Sequence, residues 1–144
     1  MNIKEEAKAV KLASPKMAGT SEEARNKALM EVVKQLKARK QEIFEANAMD
    51  LKQAEIDKVA SPISKRLKFD ETKLRDVIAG IEDLVKLEDP LFKQDMHRQL
   101  DEGLTLYRET CPIGVIGVIF EARPDALIQI SSLCIKSGNC VILK

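Results

Sequence analysis

Arg123 is the side chain whose type and place could do chemistry, lying in Glu121-Ala122-Arg123-Pro124 just after the uncharged run Val115 to Phe120. A guanidinium is planar, permanently charged, and offers paired donors that match a phosphate or a carboxylate. The residues alone leave two readings of it: a fixed cation for an anionic ligand, or a structural ion pair with Glu121. Lys144, which closes the apolar run Cys140 to Leu143, is the second candidate. Its ammonium could meet ribose hydroxyls or a phosphate, or could simply be solvated. Gly114 and Gly117 indicate close approach of backbone to something, either the next strand or a ligand. They form neither a Gly-x-Gly-x-x-Gly fingerprint nor a Walker loop, so no phosphate cradle of those kinds is expected.

The remaining reactive side chains point to packing. The cysteines Cys111, Cys134 and Cys140 and the single His97 stand at no zinc spacing, and an odd, small cysteine set suits a reducing compartment. Cys134 falls on the apolar face of a helical pattern and Cys140 within an apolar strand, where thiols are usually inert. Cys111 precedes Pro112 with no second histidine or basic cluster beside it. His97 has no partner in sequence, so a surface or packing role is expected, and no metal site.

What positions Arg123 and Lys144 is a strand–helix–strand pattern. Val115 to Phe120 reads as a strand buried on both faces, broken sharply at Glu121–Pro124. From Asp125 to Ser137 nothing breaks a helix, and Ala126, Leu127, Ile130, Leu133 and Cys134 recur at helical spacing. Gly138 suits a left-handed cap, and Cys140 to Leu143 reads as a second strand. Such a unit is a right-handed crossover with parallel strands. Open sheets of this class bind ligands outside the carboxyl ends of their strands, which is where both candidates sit. Two parallel strands need further neighbours and cover on both faces. Residues 112–144 are therefore expected to be the first unit of a larger, incomplete domain, and the chain the front part of a longer protein.

Residues 1–93 read as helices. Ile3 to about Met17 is helical with an interruption at Pro15. Thr20-Ser21-Glu22-Glu23 fits a capping box with Thr20 as the cap. Ala24, Ala28, Leu29, Val32, Val33 and Leu36 then form one stripe. A break is expected in the charged run Lys37–Glu42, a solvated face, before a second pattern at Ile43, Phe44, Ala48 and Leu51. Ser61-Pro62 reads as cap and first helical position. Asp70-Glu71-Thr72 opens a helix carrying Leu74, Val77, Ile78, Ile81, Leu84 and Val85, and Glu88-Asp89-Pro90 ends it. Residues 94–111 read as a hairpin, Met96–Leu100 and Leu104–Glu109 about Asp101-Glu102-Gly103. A lone ribbon is marginal in water, so it should join a sheet elsewhere in the chain or in a partner subunit.

Composition excludes several classes. Lys plus Arg (24) nearly balance Asp plus Glu (23), and aromatic residues make up 3% of the chain, so a nucleic-acid partner is not expected. No apolar run approaches membrane-spanning length and the charged start lacks a secretory core, so neither a membrane partner nor export is expected and cytoplasm is the default. The fold class is α/β: N-terminal helices, a β-hairpin, and the start of a parallel Rossmann-like sheet.

Pro112-Ile-Gly-Val-Ile-Gly-Val-Ile-Phe-Glu-Ala-Arg-Pro-Asp125 and Lys136-Ser-Gly-Asn-Cys-Val-Ile-Leu-Lys144 resemble the gamma-glutamyl phosphate reductase (glutamate-5-semialdehyde dehydrogenase) branch of the aldehyde dehydrogenase superfamily. The Phe-Glu-Ala-Arg-Pro-Asp segment is specific to that branch, and the flanking glycine segments are shared more widely. The likeness runs through the whole chain but covers about the first third of a family member. It implies an aldehyde dehydrogenase-like fold and NADPH or NADP as cofactor, lined by Phe120, Glu121 and Ala122, with Lys144 on the ribose. It places Arg123 where hydrolytic relatives keep an oxyanion-stabilising Asn, a departure that suits a substrate whose leaving group is phosphate. It implies that the hairpin is an oligomerisation element, hence a homo-oligomer.

The implied reaction reduces gamma-glutamyl phosphate (L-glutamate 5-phosphate) to L-glutamate 5-semialdehyde and phosphate, in proline biosynthesis. A cysteine thiolate displaces phosphate, and the resulting thioester accepts hydride more readily than a carboxylate does. By the same resemblance that cysteine lies beyond residue 144, so no catalytic residue and no activity are expected of this chain alone. The competing readings are a non-catalytic helical and oligomerisation module, or an aldehyde dehydrogenase-like enzyme of other substrate.

Overall fold

The structure, a computed structural model, describes residues 2–144. In chain order the elements are α1 (Ile3–Ala18), α2 (Glu22–Ala38), α3 (Lys40–Ile56), α4 (Ser61–Leu67), α5 (Glu71–Lys86), β1 (Gln94–Asp101), β2 (Leu104–Glu109), β3 (Val115–Val118), α6 (Pro124–Lys136) and β4 (Cys140–Leu143). The mixed helix-and-strand class, the ribbon and the parallel pair are as the sequence leads one to expect.

The core forms where apolar stripes meet. Leu74, Val77, Ile78 and Ile81 of α5 pack with Leu29 and Val33 of α2 and with Phe69, and Ile128 and Ile135 of α6 lie against them. Thus α6 does not serve the sheet alone: it packs on α5 and α2 as well as on β4, while α1 packs on β4 and β3. The helices ahead of the crossover are its scaffold.

Several local expectations are corrected. Pro15 does not interrupt α1, which runs through it to Ala18. A proline removes only one N–H, and Gly19 N–H closes the last turn onto the Pro15 carbonyl at 3.1 Å. The cap of α2 is Ser21 rather than Thr20, its hydroxyl accepting from Ala24 N–H at 3.3 Å. Thr20 has turned back, donating its hydroxyl to the Lys16 carbonyl. Glu23 still serves that turn: its own backbone N–H and then the Ser21 hydroxyl hold its carboxyl below the usual range. α4 is capped by Ala60, with Ser61 already helical and Pro62 one position further in, where a missing N–H is equally harmless. On α3 the inward residue is Asn47, not Ala48. Its amide nitrogen donates to the Leu67 carbonyl (2.9 Å) and its oxygen accepts from Phe69 N–H (2.8 Å), clamping the α4–α5 link.

Among the described residues two cations are fully buried. Arg25 donates to the Thr20 carbonyl and to Asp89 just past α5. Lys136, in the last turn of α6, donates to Glu22 (3.0 Å), Asn26 (3.1 Å) and the Val85 carbonyl (3.4 Å). The Lys136 ammonium meets three acceptors, as burial of a cation requires, and both terminal nitrogens of Arg25 are bonded, whereas the Arg25 Nε is buried without a partner. Together they tie the start of α2 to the ends of α5 and α6. The charged run at Lys37–Glu42 is solvated as expected, and the helix breaks there at Arg39.

β1 and β2 pair antiparallel about Glu102-Gly103, with Gly103 at φ +73°. Among the described residues this ribbon joins no other sheet. Its side chains are almost all exposed, including Leu100, Leu104, Leu106 and Tyr107.

Candidate functional site

The site is built on the parallel pairing of β3 with β4, in the register Val115–Cys140, Ile116–Val141, Gly117–Ile142 and Val118–Leu143. The ladder is pinned at its amino end by Asn139, which is buried. Its side-chain oxygen accepts from Gly114 N–H at 2.8 Å, while its amide donates to the Ser137 carbonyl and hydroxyl. Cys140 N–H bonds the Gly114 carbonyl at 2.9 Å, so one residue side by side with Gly114 locks the register. Gly114 itself adopts φ +116°, a conformation an L side chain rarely takes.

At the carboxyl end the ladder continues past the regular strands. Lys144 N–H donates to the Val118 carbonyl (2.9 Å), and Phe120 N–H donates to the Lys144 carbonyl (2.8 Å). The backbones of Phe120 and Lys144 are therefore held together, one on each strand. The chain then turns through Ala122, left-handed at φ +49°, to Arg123, the residue that caps α6. Ala126 N–H bonds the Arg123 carbonyl at 3.0 Å and Pro124 occupies the first helical position.

Arg123, Glu121 and Lys144 are all exposed, and among the described residues none of the three makes an ion pair. The structural Arg123–Glu121 pair is not formed. The arrangement is two cations and one carboxylate, Glu121, at one end of a parallel pair, beside the positive end of α6, a net positive setting that can receive an anion. Asp125, in the first turn of α6, is instead mostly buried: its carboxylate lies 3.8 Å from the Lys73 ammonium of α5, and its Oδ1 has no hydrogen-bond partner.

The strands differ from expectation in burial. β3 and β4 are half-buried, Gly117 is exposed, and Ile119 is 86% exposed. A two-stranded sheet has no lateral neighbours to cover it. Three cavities, of about 710, 380 and 250 Å³, lie between helices, and residues 120–123 and 144 line none of these three.

The other reactive groups stay out of the site. Cys134 is buried, which with nearby Cys140 pushes its thiol pKa up and makes it a poor nucleophile. His97 sits on the ribbon, its ring 5.0 Å from that of Tyr107. No three His, Cys, Asp or Glu side chains among the described residues group as a metal requires. Among the described residues no helix is long and apolar enough to cross a membrane.

Sequence reasoning missed Asp125, Lys73 and Asn139. An acidic residue straight after a helix-opening proline, and an Asn between a left-handed Gly and a strand, are signals for the first and third. Nothing local marks Lys73.

No family model matches the chain. Gamma-glutamyl phosphate reductase of Acetivibrio thermocellus is 56% identical over 144 residues, all of this chain and 33% of that protein. The enzyme of the same name from Ruminiclostridium cellulolyticum is 56% identical over 133 residues, 92% of this chain and 31% of that protein. Among solved structures, gamma-glutamyl phosphate reductase of Saccharomyces cerevisiae superposes with a TM-score of 0.91 at 43% identity, over 96% of this chain and 35% of that one. That of Thermotoga maritima gives 0.93 at 30% identity, over 99% and 34%. The chain thus spans about a third of the length of the relatives it matches.

Proposed function

The chain is, by sequence and by fold, a counterpart of the N-terminal third of the gamma-glutamyl phosphate reductase family, and from that premise we propose that it supplies the first part of the cofactor and substrate site of an NADPH-dependent reductase. That enzyme converts L-glutamate 5-phosphate to L-glutamate 5-semialdehyde and phosphate, in proline biosynthesis. The supporting observation is the backbone bonding of Phe120 to Lys144, with the exposed, unpaired Arg123 three residues on.

The donor set fits a phosphorylated dinucleotide: two cations that make no ion pair among the described residues, and a strand face kept low by Gly117, where an added Cβ meets nothing within 4 Å. Phe120, Glu121 and Ala122 line the cofactor and Lys144 holds its ribose. NADPH, when bound, supplies the hydride. Arg123 binds the phosphate of the acyl phosphate and neutralises charge as the phosphate leaves. The displacing cysteine belongs to the remainder of the enzyme. Residues 1–93 are the helical scaffold of the cofactor domain, 94–111 the oligomerisation ribbon of a homo-oligomer, and 112–144 the first strand–helix–strand unit. The setting is cytoplasmic.

The test joins residues 1–144 to the C-terminal two thirds of the Acetivibrio thermocellus reductase, here the complete polypeptide. Expected is phosphate-dependent reduction of NADP with glutamate-5-semialdehyde, run in reverse for convenience, and none from residues 1–144 alone. Turnover by the 144-residue chain, or a complete polypeptide indifferent to phosphate, would contradict the proposal.

A further inference from the structure

Among the described residues Arg123 makes no ion pair, so what the structure fixes is the backbone position from which its exposed side chain reaches out. That backbone is not self-supporting. Ala122 stands left-handed at φ +49°, a conformation costing a non-glycine residue about 1 kcal/mol. The segment before α6 has more relaxed alternatives, and something must hold it against them.

Upstream, the hold is the Phe120–Lys144 backbone bond. Downstream, it is Asp125. Its side chain is only 16% exposed and faces Lys73 across the α5–α6 interface, and Lys73 is itself fixed by a 3.0 Å bond to the Arg66 carbonyl near the end of α4. The carboxylate oxygen turned to Lys73 is buried and takes no hydrogen bond, so the ammonium charge is what makes its burial tolerable. Only Pro124, with its fixed φ, separates this anchor from Arg123. A shift of α6 at Asp125 is therefore passed to Arg123 with little slack.

We infer that Lys73 and Asp125 are positioning residues for Arg123, their ion pair holding the start of α6 and so the backbone position from which the guanidinium reaches the substrate's phosphate. The inference rests on the reading that Arg123 binds that phosphate. Neither residue touches substrate; each acts through the start of α6.

The test uses the complete polypeptide in the reverse direction, with inorganic phosphate as the probe. Lys73→Met and Asp125→Asn should each raise the KM for phosphate about fivefold, while kcat at saturating phosphate and the KM for NADP stay within about twofold. Lys73→Arg should restore the phosphate KM, and in an Arg123→Met background neither change should raise it further. A role in stability alone would lower the melting temperature without separating phosphate from NADP. Should Lys73→Met impair folding, the isosteric Asp125→Asn decides. The inference is overturned if Arg123→Met raises the phosphate KM while Lys73→Met and Asp125→Asn leave it unchanged, or if their effects persist in the Arg123→Met background. If Arg123→Met itself leaves the phosphate KM unchanged, the phosphate reading falls and this inference falls with it.

Discussion

Replacing Gly138 with alanine is expected to destabilise the fold by about 2–5 kcal/mol, the sum of a left-handed penalty of about 1–2 and an overpacking cost of about 1–3. Gly138 follows α6 at φ +66°, and a Cβ there would lie 2.7 Å from Leu91 Cδ1, 3.1 Å from Pro112 Cγ and 3.8 Å from Ala18 Cα. The end of α1, the segment after α5 and the lead-in to β3 all converge on this one residue. Leu91 could rotate, but it is buried, and Pro112 is a rigid ring attached to the start of the strand. The same contact directs the chain from α6 into β4, so the cost falls on the geometry that brings Lys144 beside Phe120. Urea unfolding of the glycine and alanine forms measures it. Equal midpoints would mean that the packing around Gly138 yields freely.

Arg123→Met in the complete polypeptide is expected to lower kcat/KM for the acyl phosphate about fiftyfold, the loss of a paired, charge-assisted contact of about 2–3 kcal/mol. Arg123→Lys keeps the charge without the planar fork and should recover only part of this, leaving a deficit of about tenfold. The KM for NADPH should be unaffected in both, because the proposed contact is with the departing phosphate. Steady-state kinetics with each substrate varied in turn reads the split. Equal losses for acyl phosphate and NADPH would place Arg123 on the cofactor instead.

The parts of this arrangement legible in sequence are those set by local pattern. Val115–Val118, the helix after Pro124, Gly138 and Cys140–Leu143 announce themselves through apolar runs, a proline, a left-handed glycine and period, and the parallel pairing follows from their order. The same holds for α5, whose stripe Leu74, Val77, Ile78 and Ile81 is the buried face. What was illegible depends on distant partners. Arg25 and Lys136 look like solvated charges until Asp89 and Glu22 are brought beside them. Asn47 looks less suited to a core than Ala48 until the Leu67 carbonyl and Phe69 N–H need a partner. Lys73 reads as one more exposed lysine on an amphipathic helix, and only the packing of α5 on α6 gives it Asp125. The strands' burial was overread for a related reason: an apolar run shows that a strand can be covered, whereas the cover itself comes from neighbouring segments.

The carboxyl ends of β3 and β4 are the proposed meeting place of nucleotide and phosphate. A crystal structure of the complete polypeptide with NADPH and inorganic phosphate tests this most directly. It should show the dinucleotide along Phe120–Ala122, the Lys144 ammonium within hydrogen-bond distance of the ribose, and the Arg123 guanidinium on the phosphate. A dinucleotide bound elsewhere, with Arg123 and Lys144 both in solvent, would contradict it.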